Sequence, residues 1–285
     1  MKKIGCFYLI LSAILILILN NFYNVFTQSH SWISVPLMLV GFTLAFMLLQ
    51  IIALIAVILC TNVEKPIGKG NGLFRILLKY SLPIIIGAAR VKVNFTDNVG
   101  ELPKNKRMLF VCNHQHDFDP IIMLSVFPDC EIGFIGKKDI YESRPIVKRA
   151  MHRLSSLPID RENDREAAKT IVKAIKLIKD DVTSIGLYPE GYTSKTCEFL
   201  PFRNGSFKIA LKAKCPIVVC VINNTRAIPK NMLRRKTEID FRCLQVINPE
   251  DFDGMTTAEL GDMIHGKMEK EINLMRNMEL KEDTN

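Results

Sequence analysis

The segment Asn113-His114-Gln115-His116-Asp117-Phe118-Asp119 carries a histidine and an aspartate at a spacing suited to proton transfer. A neutral imidazole at His114 can take a proton from an attacking hydroxyl, which contributes about 10²–10⁴ in rate. A carboxylate at Asp119 can hold the other ring nitrogen and stabilise the imidazolium that forms. The segment follows the apolar run 108–112, which we expect to be a strand whose carboxyl end faces the ligand.

The same segment has two other interpretations. Asp119 precedes Pro120, a pattern typical of a helix N-cap followed by proline, and one carboxylate can both cap a helix and face His114. The two histidines and two aspartates also resemble half of a metallohydrolase H-x-H-x-D-H box, with the aspartate displaced by one position. None of the eight cysteines forms a C-x-x-C pair. Because Pro120 stands where the box has its last histidine, and only His30, His152 and His265 remain to complete a site, we favour a site without metal.

Three further motifs follow in the chain, each with an ordinary structural interpretation. In Leu157-Pro158-Ile159-Asp160-Arg161 the arginine suits a phosphate, although it can equally form an ion pair at a helix start. Pro189-Glu190-Gly191 predicts a turn where backbone can approach a ligand closely. Cys215-Pro216-Ile217-Val218 predicts a buried strand entered through a proline.

Short apolar runs alternate with amphipathic stretches from about residue 91 onward. We predict an α/β fold, with a mostly parallel sheet flanked by helices and preceded by N-terminal membrane helices. The predicted strands are 91–96, 107–112, 132–136, 154–159, 182–188, 216–222 and 239–247. The predicted helices are 120–126, 140–151, 164–179, 203–214 and 256–277.

The N-terminal part has a different composition, because Lys2 and Lys3 are its only charged residues before position 61. Two apolar runs, 4–19 and 32–60, predict a membrane hairpin. Basic residues before and after the pair place both ends, and hence the catalytic domain, on the cytoplasmic face. A cleaved signal peptide is the alternative, disfavoured by the second run. Residues 74–89 predict an amphipathic helix that lies on the bilayer.

These patterns divide the chain into four parts: a membrane anchor at 1–60, an interfacial amphipathic segment at 61–90, an α/β domain at 91–250, and a C-terminal helix with a polar tail at 251–285. The last 225 residues carry 36 of the 38 basic residues and all 29 acidic ones, a balance of 36 − 29 = +7. A basic domain beside an apolar anchor favours a phospholipid membrane as partner. Nucleic acid is not expected, because the basic residues are dispersed and no nucleic-acid-binding motif is present.

The four motifs, in this order between about residues 85 and 225, resemble those of the glycerolipid acyltransferase family typified by bacterial 1-acylglycerol-3-phosphate acyltransferase. The NHxxxxD motif corresponds to Asn113-His114 through Asp119, and the F-x-x-R motif to 157–161. The PEGTR motif matches at 189–191, and the V-P-I motif at 215–218. The resemblance implies acyl transfer from acyl-CoA or acyl-carrier protein to a lysophospholipid, most simply 1-acylglycerol 3-phosphate, without metal, cofactor or covalent intermediate.

The resemblance also assigns roles to residues. It implies that His114 is the general base and Asp119 its orienting partner. Its implied substrate-binding residues are Asn113, Arg161, Glu190, Gly191 and Pro216.

One position departs from the family pattern, because Thr193 stands where PEGTR has its phosphate-binding arginine. A neutral hydroxyl cannot replace a bidentate guanidinium–phosphate contact. Lys195 or Arg203 are the candidates to compensate. Otherwise the acceptor is another lysophospholipid or lipid alcohol, or the chain is an inactive lipid-binding relative.

Overall fold

The computed structural model describes residues 2–70, 72–194 and 198–282. Its strands are β1 (Val91–Asp97), β2 (Leu109–Val111), β3 (Ile132–Lys137), β4 (Leu157–Ile159), β5 (Ser184–Leu187), β6 (Ile217–Asn223) and β7 (Thr237–Ile247). Its α-helices are α1 (Lys2–Tyr23), α2 (Ser31–Leu59), α3 (Gly72–Ala88), α4 (Asp119–Val126), α5 (Lys138–Ser143), α6 (Pro145–Arg153), α7 (Asp164–Lys179), α8 (Lys208–Ala213), α9 (Ile228–Asn231) and α10 (Thr257–Glu282).

The strands form one sheet in the order β1-β7-β6-β2-β5-β3-β4, in which only the β6–β7 pair is antiparallel among the described strands. One face packs against α2, α3 and α4, and the other against α7, α8 and α10. Strands covered on both faces are expected to be almost entirely apolar, and every residue of β6 is buried. The predicted α/β fold with a mostly parallel sheet is therefore confirmed.

The elements differ from the prediction mainly at their ends. The helix predicted at 140–151 is two helices, α5 and α6, because Arg144 before Pro145 is extended and a proline disfavours helical geometry in the residue that precedes it. The helix predicted at 203–214 begins as a 3₁₀ turn, Asn204–Phe207, and ends at Lys214 in the left-handed region. The C-terminal helix continues to Glu282, and positions 283–285 of the expected polar tail lie outside the described residues.

The helices α1 and α2 form an antiparallel pair in which Ser12 Oγ lies 3.0 Å from Thr43 Oγ1. Both are long and apolar enough to cross a membrane by length and composition. The Gln50 amide of α2 donates to the Leu77 carbonyl of α3, at 3.0 Å. The predicted interfacial helix α3 packs on the sheet through the buried side chains of Phe74, Leu82 and Ile86, whereas Leu73 and Ile76 are exposed.

Asn113 joins the end of β2 to β6. Its side-chain amide donates to the Ile222 carbonyl at 2.9 Å, and its Oδ1 accepts from the Ile222 N–H at 2.8 Å. All the atoms involved are buried, so the bonds are shielded from water. This pair of bonds fixes where the loop that begins at His114 leaves the sheet.

Replacing Asn113 with alanine should therefore lower stability. Because two buried backbone groups lose their partner, we expect Asn113→Ala to reduce the free energy of unfolding by about 2–4 kcal/mol. Urea unfolding of the full chain in detergent, followed by circular dichroism, measures the change. The control is Asn94→Ala, which removes bonds to the exposed Glu238 and the partly buried Asp240 and should change stability by less than about 0.5 kcal/mol. Equal effects of the two variants would contradict the assignment.

Candidate active site

The His114 and Asp119 side chains meet at the carboxyl end of β2. His114 Nδ1 lies 2.8 Å from Asp119 Oδ2. The Asp119 side chain is 0% exposed, whereas that of His114 is 14% exposed. The carboxylate can therefore fix the orientation of the ring while the imidazole stays accessible to solvent and substrate. This is the geometry of a general base with an orienting carboxylate.

The turn between these residues is built around the same carboxylate oxygen. Asp119 Oδ2 accepts from the backbone N–H groups of Gln115 and His116, at 2.7 and 2.9 Å. A buried charge requires such partners, because water cannot solvate it. Asp119 is the first residue of α4, and its carboxylate bonds to the preceding turn. The expectation that it caps the helix was therefore wrong.

Glu190 fixes the position of the histidine backbone from the neighbouring strand end. Its two carboxylate oxygens accept from the N–H groups of His114, at 2.8 Å, and Leu200, at 3.0 Å. Burial raises the pKa of Glu190, and these two N–H donors oppose that rise. The Ser194 N–H donates to the His114 carbonyl at 2.9 Å. The turn formed by Pro189, Glu190 and Gly191, the PEG turn, thus contacts the His114 backbone directly through Glu190.

Tyr188 was missed as a site residue, although it directly precedes Pro189 in the third motif. Its ring stacks on the His114 imidazole with centroids 4.4 Å apart and planes at 23°. Its hydroxyl and Asp119 Oδ1 are both buried, and neither has a hydrogen-bond partner among the described residues. Burial and then the nearby Asp119 carboxylate raise the pKa of Tyr188. The available signal was its position at the end of the strand predicted at 182–188, because the ends of parallel strands meet at one edge of a sheet.

Two arginines flank Tyr192 next to this turn. The guanidinium carbons of Arg161 and Arg203 lie 5.2 and 5.4 Å from the centroid of its ring. The Arg203 guanidinium also donates to the Arg161 carbonyl at 3.1 Å. Burial lowers the pKa of Arg161; the Tyr192 phenol opposes this and Arg203 adds to it. Neither guanidinium forms an ion pair with a carboxylate in the ranges that the structure describes.

A cavity of about 720 Å³ opens beside these arginines. Its apolar wall comes largely from α7, including Ala168, Ile171 and Ile175. Arg161 and Arg203 lie at its polar part, and Tyr188 connects it to His114, which does not itself line the cavity. Apolar walls with a few convergent charged groups are typical of a site for an amphiphilic ligand.

Gly191 allows this close packing of turn and arginine. Its φ of +76° is in the left-handed region, and a Cβ there would lie 3.2 Å from Arg203 Cδ. The Tyr188 carbonyl accepts from its N–H at 3.0 Å, which closes the turn. A side chain at this position would thus displace the arginine.

The structure does not bring every expected residue to this site. Pro216 directly precedes β6, its carbonyl accepts from the Leu109 N–H, and this edge of the sheet is opposite to His114. The Asn113 side chain is engaged with β6 and buried. Within the protein these two residues contact the sheet, and the substrate contacts expected of them stay predictions. Lys195 lies outside the described residues.

A metal-binding arrangement was the alternative for the same segment. The described residues contain no group of three or more His, Cys, Asp or Glu side chains that could hold a metal ion. His116 Nδ1 instead accepts from the Phe118 N–H at 3.2 Å. The metallohydrolase hypothesis therefore has no ligand set among them.

Residues 90–223 match the family model described as Acyltransferase. The 1-acyl-sn-glycerol-3-phosphate acyltransferase of Saccharomyces cerevisiae is 26% identical over 219 residues, covering 75% of this chain and 69% of that protein. The Haemophilus influenzae enzyme of the same name is 28% identical over 169 residues, covering 58% and 68%. The Cocos nucifera enzyme of that name is 29% identical over 163 residues, and the match spans 52% of its length.

The fold has a counterpart among solved structures. The 1-acyl-sn-glycerophosphate acyltransferase of Thermotoga maritima superposes with a TM-score of 0.56 at 21% identity, covering 70% of this chain and 82% of that one. The matched family segment contains the His114–Asp119 pair, Arg161 and the PEG turn. Residues 90–223 therefore form a domain that matches the acyltransferase family, and the similar proteins are 1-acyl-sn-glycerol-3-phosphate acyltransferases.

Proposed function

We propose that this protein transfers a fatty acyl chain to the free hydroxyl of a lysophospholipid, with 1-acylglycerol 3-phosphate as the acceptor. The observation that carries the proposal is the 2.8 Å contact between His114 Nδ1 and the buried Asp119 carboxylate, within a segment matching the acyltransferase family. The names of the relatives support the acceptor.

The reaction proposed needs one proton acceptor and no covalent intermediate on the protein. The acceptor hydroxyl oxygen bonds to the carbonyl carbon of an acyl thioester as the carbon–sulfur bond breaks. The hydroxyl proton passes to His114 and then to the departing thiolate. Asp119 keeps the imidazole in the tautomer whose free nitrogen accepts that proton, and stabilises the ring while it is charged.

The acceptor's phosphate is proposed to bind between Arg161 and Arg203. Two guanidinium groups held close together, with no described carboxylate ion-paired to either, favour the binding of an anion. Arg203 then compensates for Thr193, which stands where the family motif has arginine. The apolar wall of α7 next to the arginines suits the acyl chain of the same molecule.

The donor and the location are also proposals. Acyl-CoA or acyl-carrier protein supplies the thioester, and no further cofactor takes part. The apolar α1–α2 pair supports attachment to a phospholipid membrane with the catalytic domain on the cytoplasmic side.

Loss of the base is the first test. We expect His114→Ala to lower kcat for acyl transfer by about 10²–10⁴-fold, because the variant lacks the proposed general base. The measurement is transfer of a radiolabelled acyl chain to 1-acylglycerol 3-phosphate by purified protein in membranes, with each donor in turn. His30→Ala, at an exposed position in the α1–α2 connection, is the matched control and should retain activity. Wild-type turnover in His114→Ala would overturn the proposed mechanism.

Acceptor recognition is the second test. Loss of a charge-assisted contact to phosphate should raise KM for 1-acylglycerol 3-phosphate about 10- to 100-fold in Arg161→Ala and in Arg203→Ala. Turnover of monoacylglycerol, which has no phosphate, should not fall in the same variants. Arg165→Ala is the control, because that residue is exposed on α7 and does not line the cavity. An unchanged KM in both variants would show that the acceptor's phosphate binds elsewhere.

A further inference from the structure

The segment that follows β6, residues 226–236, is strongly basic and exposed. It contains Arg226, Lys230, Arg234, Arg235 and Lys236, and no acidic residue. In the middle of these charges Leu233 is 89% exposed, next to the exposed Met232. Leu233 and Met232 thus form an exposed apolar pair surrounded by cations.

Contacts within the protein account for part of this charge. The Arg226 guanidinium donates to the Ser194 carbonyl at 2.7 Å, and that of Arg235 to Asn231 Oδ1 at 2.9 Å. Lys236 lies 3.4 Å from a Glu238 carboxylate oxygen. Lys230 and Arg234 form no hydrogen bond or ion pair through their side chains with the described part of the chain. The segment is thus held in place by some of its cations and presents the others outward.

The segment lies on the same edge of the sheet as the candidate active site. The Gln115 amide nitrogen lies 3.4 Å from Asn223 Oδ1, at the end of β6. Ser194, whose carbonyl binds Arg226, also donates its N–H to the His114 carbonyl. Ser194 therefore connects the basic segment to the loop from His114 to Asp119, the catalytic loop.

The α1–α2 pair projects past this same edge. The Arg90 carbonyl just after α3 accepts from the Thr237 N–H, so α3 ends beside the basic segment. Gln50 of α2 contacts Leu77 of α3. Nineteen residues of α2 lie before Gln50, back to Ser31, and eleven residues of α3 follow Leu77. At 1.5 Å per residue the outer part of α2 measures about 28 Å and the remainder of α3 about 16 Å. For helices that run side by side, this places the hairpin tip roughly 12 Å beyond the end of α3.

We infer that residues 226–236 form a second membrane contact, in which Leu233 and Met232 enter the interface of a bilayer rich in anionic lipids and the surrounding cations bind its headgroups. Exposed apolar residues flanked by Lys and Arg have the composition of an interfacial anchor. The inference rests on the proposed membrane attachment of α1–α2 and is independent of the acyltransferase chemistry. Its consequence is that the catalytic edge faces the lipid surface.

Tryptophan fluorescence tests this contact in the full chain. The protein has one tryptophan, Trp32, so Trp32→Phe provides a background for Leu233→Trp. In nanodiscs of phosphatidylglycerol and phosphatidylcholine, emission from position 233 should shift to the blue and be quenched by brominated lipid. The matched control is Lys106→Trp in the same background, at an exposed position before β2 on the opposite edge, which should be neither shifted nor quenched.

Two charge-removing substitutions, made together, distinguish the contribution of the cations from that of the introduced tryptophan. Lys230→Gln with Arg234→Gln should weaken membrane contact of position 233 by roughly 25-fold, at about fivefold per charge, and reduce its quenching. The same pair of changes at Lys173 and Lys176, exposed on α7, should leave the quenching unchanged. If neither pair of substitutions changes the quenching at position 233, the proposed role of the cations is wrong.

The native Trp32 provides the internal reference. If brominated lipid quenches Trp32 in the wild-type chain but not position 233, the hairpin is in the bilayer and the second contact is wrong. If Trp32 is not quenched either, the membrane attachment itself is wrong, whatever the acyltransferase assays show. Quenching at both positions supports the inference.

Discussion

The candidate site depends on one buried carboxylate. Asp119 Oδ2 accepts from His114 Nδ1 and from two backbone N–H groups of the turn between them, all within 2.9 Å. A fully buried charge is tolerated only where such donors replace water. The same atom therefore shapes the turn and orients the imidazole, so the fold of this loop and the position of the base cannot be separated.

The surrounding sheet supplies the rigidity that this arrangement needs. Asn113 ties the loop to β6 on one side, and Glu190 ties the His114 backbone to the end of β5 on the other. Tyr188 packs flat against the imidazole from β5. Because β5, β2 and β6 are neighbours and parallel, three strand ends contribute to one point at a single edge. His114 is thus held in position by contacts to both neighbouring strands.

The same edge brings together surfaces of different chemistry. A cavity with an apolar wall and two arginines lies on one side of the catalytic loop, and the basic segment with Leu233 lies on the other. The apolar hairpin passes beyond the edge nearby. With the membrane contact proposed above, an amphiphilic substrate in the bilayer would reach His114 from this surface without crossing water. The arrangement therefore fits a lipid substrate better than a soluble one.

Apolar periodicity and four short motifs were sufficient to predict the α/β fold, the two apolar N-terminal helices and the His114–Asp119 pair. Strand burial on both faces and a five-residue spacing are local properties that the order of residues expresses directly. Only the tertiary structure decided that Asn113 and Pro216 contact the sheet, that Tyr188 stacks on His114, and that Arg203 lies beside Arg161. These contacts join residues far apart in sequence, and pairing at strand ends and a positive φ at Gly191 bring them together. The physical reason is that spacing sets local geometry, whereas the register and packing of distant elements determine which side chains meet.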